Sequence, residues 1–137
     1  MAAGTSPIFI ATPKNYFATL SVTANTATDG TGTTSLLVTA GSNGSKIEDV
    51  TIIASGAATA TVVRFFLNNG STPSSAANNV LIHEETFATV ASLSQTAASV
   101  SNTWRANLVM QAGYRLYVTQ GTTTATALQV CAVGGDY

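Results

Sequence analysis

The sequence predicts an all-β domain, an antiparallel β-sandwich of about eight strands with jelly-roll-like order and an extended N-terminal arm, on three observations. The polar residues are mostly uncharged: 23 Thr and 13 Ser stand against five Lys plus Arg and six Asp plus Glu in 137 residues. Threonine is β-branched and suits a half-buried pleated surface, so this composition favours strands over helices. Apolar and polar residues alternate in short runs bounded by Gly, Asn and Ser, the period of two expected of strands. Finally, the run 60–68 is apolar on both faces, which requires cover on both sides, by a second sheet or by another subunit.

Residues 1–15 carry Pro7 and Pro13 around Ile8, Phe9 and Ile10. Proline withholds a ladder donor, so this stretch is expected to be an extended arm or an edge strand. An exposed apolar triplet is costly in water, and it is expected to dock on its own sandwich or, preferably, on a neighbour. Residues 16–137 then form a single sandwich domain. Tyr16 to Thr23 alternates cleanly and reads as the first strand, followed by NTATDGTGTT, residues 25–34, a loop with no apolar face.

Residues 35–39 and 46–54 read as strands joined by Asn43-Gly44, the usual pair for a type I′ hairpin. The run AGSNGSK lacks the glycine spacing, the Gly-Lys step and the following helix of a phosphate loop. In residues 60–68, Arg64 interrupts the apolar pattern. Its stem is expected to lie across the sheet with its head in water, the alternative being an ion pair across an assembly interface. Residues 68–79, NNGSTPSSAANN, form a long polar loop.

Residues 80–87, VLIHEETF, hold the one titratable cluster. On a strand His83 and Glu85 share a face while Glu84 points away, and that face is expected to be exposed. Residues 88–103 are expected to form a ragged strand in their second half, in preference to a short helix, leading into a strand at 104–109 in which Trp104 serves as a core or interface anchor. Residues 114–120 and 126–133 read as a second hairpin through GTTT, with Leu128, Val130 and Ala132 as the last core face. Cys131, the lone cysteine, is expected to be a buried inert thiol. Tyr137, directly after Gly134-Gly135-Asp136, is expected to tuck against something.

Several function classes find no support. A net charge of −1 with scattered Lys14, Lys46, Arg64, Arg105 and Arg115 offers no footprint for nucleic acid or an anionic membrane. A single cysteine and a single histidine leave no disulfide and no ligand cluster, so neither metal nor cofactor is expected. No nucleophile elbow appears, and the carboxylate pairs Glu48-Asp49 and Glu84-Glu85 are strand neighbours on opposite faces, so no catalytic residue and no enzyme activity is expected. No secretory leader is expected either, which points to synthesis in a cytoplasm. A near-neutral small domain has little self-repulsion, and this favours an assembly component.

The runs DGTGTTSLLVTAGSNGSKIEDVTIIASG, VVRFFLNNG, QAGYRLYVT and the closing GGDY occur in this order over most of residues 29–137. In that order they resemble small structural proteins of tailed bacteriophages, of the capsid decoration or cement type. The resemblance implies a virion protein on the capsid exterior that binds the major capsid protein as a homotrimer and has no catalytic residues. The 68–79 loop is longer than in simpler members. Ile8, Phe9, Ile10, Arg64, Trp104 and Tyr137 are the candidate assembly residues. Alternatives are a tail or baseplate protein and a carbohydrate-binding module using Trp104, Tyr114 or Tyr117.

Overall fold

Eight strands divide between two antiparallel sheets packed face to face, in a computed structural model that describes residues 9–137. They are β1 (Thr12–Thr19), β2 (Ser35–Thr39), β3 (Ser45–Ala54), β4 (Thr61–Asn68), β5 (Asn79–Phe87), β6 (Ser101–Met110), β7 (Arg115–Gln120) and β8 (Leu128–Asp136). One sheet has the order β1-β8-β3-β6 and the other β2-β7-β4-β5, the interleaving of a jelly roll. The only helical piece among the described residues is a single 3-10 turn at Ala76–Asn78, inside the long polar loop.

The core lies between the sheets and follows strand parity. Val50, Ile52 and Ala54 of β3 meet Val130 and Ala132 of β8, and face Val63 and Phe65 of β4 and Leu116 and Val118 of β7; all are buried. The expected sandwich and the inward set Leu128, Val130 and Ala132 are therefore present.

The hairpins are not. The strands flanking Asn43-Gly44 lie in different sheets, as do β7 and β8 on either side of GTTT. Gly44 does adopt φ +90° and closes a turn back to the Gly41 carbonyl at 3.0 Å, but Asn43 does not share the left-handed geometry of a type I′ turn. Turn residues mark where the chain reverses and say nothing about which strand it then pairs with. Only β4 and β5 are consecutive strands that pair with each other.

Two further elements shift. The first strand runs 12–19 rather than 16–23, so residues 12–15 of the expected arm pair with β8, with Pro13 opposite Gly135. Proline is tolerated there because β1 is an edge strand. Ile8 lies outside the described residues. The ragged strand expected ahead of Trp104 is confined to Ser101–Thr103, which are continuous with the rest of β6.

β4 is covered on both faces, and part of the outer cover is supplied by a loop of this same chain. On the outer face of its sheet Phe66 is fully buried and Tyr117 is 8% exposed. Residues 25–33 cross this face: the Asn25 amide N–H donates to the Gln120 carbonyl on β7, and Asn79 at the start of β5 donates to the Asp29 carbonyl at 3.3 Å. The buried Asn25 side chain ties the crossing together by donating to the carbonyls of Thr31 (2.8 Å) and Thr33 (2.9 Å). A loop without an apolar face can serve as a cover because its own polar groups are satisfied within it.

Candidate interaction face

The outer face of the β1-β8-β3-β6 sheet is open along its whole length, whereas on its counterpart Phe66 and Tyr117 are covered and Leu36 and Leu81 on either side of them stay exposed. Strand pairing sets its rows: Thr19, Gln129, Ile53 and Ser101 in one, Phe17, Cys131, Thr51 and Thr103 in the next, then Asn15, Val133, Asp49 and Arg105. Phe17 is 82% exposed, and Ile53, Val133 and Cys131 are exposed beside it. Between Thr19, Thr51, Ile53, Gln129 and Cys131 lies a shallow hollow of about 140 Å³ with Phe17 on its wall. Charges on this sheet's outward side sum to zero: Lys46 pairs with Glu48 at 2.8 Å, and Asp49 sits opposite Arg105 in the ladder, because a bulge between Ile47 and Asp49 puts both carboxylates on this side rather than on the opposite faces that strict alternation predicts.

Cys131 is thus exposed, against the expectation of a buried thiol. In LQVCAV the residues at 128, 130 and 132 face inward, so Cys131 faces out with Gln129 and Val133. Phe17 was missed for the same reason. Its strand alternates, and an aromatic on the otherwise polar face of that alternation was the available signal.

A polar cluster fixes the edge strand that carries Phe17. The Asp136 carboxylate accepts hydrogen bonds from Tyr16 at 3.0 Å and from Ser45, and an ion pair from Lys14. The Lys14 ammonium, joined by the Ser45 hydroxyl, pushes the Asp136 carboxyl down to about 2. Lys14 is raised in turn, chiefly by its contact with Asp136, and Tyr16 is raised chiefly by burial. Among the described strands β1 is hydrogen-bonded to β8 alone, so this cluster and the ladder to β8 fix it within the sheet.

Gly134 and Gly135 make the same junction possible. A Cβ at Gly134 would fall 2.0 Å from the Lys46 carbonyl oxygen, and one at Gly135 2.3 Å from that of Thr12. Only glycine allows β8 to lie this close to both flanking strands. The GGDY run is therefore a packing device at the β1-β8-β3 junction.

The sequence-predicted assembly residues do not form one patch. Phe9 is 76% exposed, and the half-buried Ile10 lies against Gly135. Tyr137 is tucked, as expected, with its N–H donating to the Gly44 carbonyl and its main-chain oxygen accepting from Asn43 at 3.3 Å. Arg64 sits on the other sheet's outer face, where its Nε pairs with Glu84 of the same chain at 2.8 Å; its head is not free in water.

Trp104 lies between the sheets at their β5–β6 edge, stacked on His83 with centroids 4.3 Å apart and packed against Phe65 at 5.0 Å. His83 and Glu85 share a face as parity requires, but it is the inward face rather than an exposed one. His83 Nε2 lies 3.1 Å from Glu85, and Asn102 of β6 donates to both Glu85 (2.8 Å) and the Thr86 carbonyl (2.9 Å). The acid, the imidazole and the indole are thereby engaged in closing the sandwich. With Trp104 half-buried and Tyr117 covered, Tyr114 is left as the remaining aromatic of the three, beside Asn69, Asn78 and Asn79. Those amides are spent on one another and on the loop backbone.

No family model, curated protein or solved structure matches this chain.

Proposed function

We propose that this chain is a bacteriophage virion structural protein, a capsid decoration or cement protein that binds the outer shell as a homotrimer. The observation that carries this reading is the open, electroneutral, partly apolar outer face of β1-β8-β3-β6. Single exposed apolar residues are ordinary, whereas several on one flat sheet face suit contact with another protein. The ordered resemblance of residues 29–137 to phage decoration proteins supplies the virion context. The jelly roll adds analogy alone, since viral capsid domains and lectins share it.

In this role copies sit over local symmetry axes of the shell and bridge neighbouring capsomers. The added buried area resists the pressure of packaged DNA. Residues 1–10 and the uncharged sandwich surfaces make these contacts, and no cofactor takes part.

The test is addition of purified protein to undecorated capsids, followed by imaging and copy counting. Occupancy of many symmetry-related surface sites is the expected outcome, with binding lost when residues 1–9 are removed and the fold is retained. A handful of copies at one vertex would instead mark a tail or baseplate protein, and binding unchanged by the truncation would refute the role of the arm.

A further inference from the structure

We infer that the outer face of β1-β8-β3-β6 is where copies of this chain meet, with Phe17 of one copy seated in the hollow beside Ile53 and Cys131 of the next. This names the surface for the self-association in the proposed function and rests on that part of the reading alone.

Shape is the first reason. The hollow of about 140 Å³ is close to the roughly 150 Å³ of an apolar cavity that takes a benzene ring, and the ring beside it is 82% exposed. Knob and hollow lie side by side on one face, so each copy can give a ring and receive one, as a closed assembly of identical chains requires.

Charge is the second. Lys46 with Glu48 and Asp49 with Arg105 cancel on this sheet's outward side, and the whole chain carries −1. A strongly charged partner finds no complement here, whereas a copy meets no repulsion.

Area is the third. Four strands about 4.8 Å apart and some eight residues long at about 3.3 Å each present roughly 500 Å² per copy in flat projection, so a contact that uses the whole face buries at most about 1,000 Å² over two copies, at the threshold for a specific contact. The edge of the same sheet is a poorer route, because Pro13 and Lys14 on β1 obstruct strand-to-strand addition.

Light scattering on the full chain across a concentration series, with Phe17→Ser beside it, tests the inference. The wild type is expected at a multiple of 13.9 kDa and the variant at 13.9 kDa, with equal unfolding midpoints at a concentration where both are monomeric. Cys131 gives a second reading: its maleimide labelling is expected to slow as wild-type concentration rises and to stay fast in the variant. A wild type that remains monomeric at its highest soluble concentration, a variant that keeps the wild-type mass, or labelling that ignores concentration in the wild type would each overturn the inference. Capsid binding is scored separately. A monomer that binds capsids overturns this inference and leaves the virion role standing; an assembly through Phe17 that binds no capsid does the reverse.

Discussion

Asp136 collects three side-chain donors from two strands, Lys14 and Tyr16 of β1 and Ser45 of β3, and so welds the edge strand to the middle of its sheet. Its carboxyl is pushed down to about 2 from an ordinary 3.8, so the folded state favours the charged form. The resulting stability is present in full above the ordinary value and is lost as pH falls through about 2. Asp136→Asn is expected to cost about 1 kcal/mol at neutral pH, less than the bare shift implies because the site is partly solvated. Urea unfolding of both proteins should show that gap closing toward pH 2, and a gap independent of pH would mean that the carboxylate charge is not what binds the junction. Gly134→Ala should cost more, above about 2 kcal/mol, because the carbonyl it would strike belongs to a paired strand. The GGDY run was legible as a motif but not as a packing device, since nothing local records that two strands close on it. Cys131 and Phe17 show a related limit. Parity says which residues share a face, and only the finished topology says which face is covered.

At the scale of elements, strand positions were readable because Thr-rich alternation and glycine punctuation are local properties. Pairing was not, because jelly-roll partners such as Tyr16 and Ala132 are far apart in sequence. The loop at 25–34 is the clearest case. It has no apolar face, yet it covers Phe66 by way of the Asn25 hydrogen bonds. Asn25→Ala is expected to cost about 1–3 kcal/mol and to raise hydrogen exchange in the middle of β4. Unchanged exchange there would show that the loop is not the cover. The β5–β6 edge depends on a second crossing, in which Trp104 stacks on His83 and Asn102 reaches Glu85. Trp104→Ala should cost about 3 kcal/mol, measured by chemical denaturation.

For the whole molecule, topology decides the order of events. Among the described strands β1 is hydrogen-bonded only to β8, and β8 in turn separates β1 from β3, so the face carrying Phe17 cannot form until almost the entire chain is present. Such non-local pairing makes folding slow, on the scale of milliseconds to seconds or longer. It also means that the two ends of the domain are unequal in consequence. Removing residues 1–9 leaves all eight described strands in place and should leave a cooperative unfolding transition of wild-type midpoint. Removing residues 128–137 takes out β8, strips β1 of its partner, leaves one edge of β3 unpaired and deletes Asp136 with both glycines. That chain is expected to lose its cooperative transition altogether in calorimetry, rather than to melt a few degrees lower, because the sheet β1-β8-β3-β6 would be left with only the β3–β6 pair against which to pack the other. A surviving transition of reduced enthalpy would show that the β2-β7-β4-β5 sheet and its covering loop form a separately stable unit.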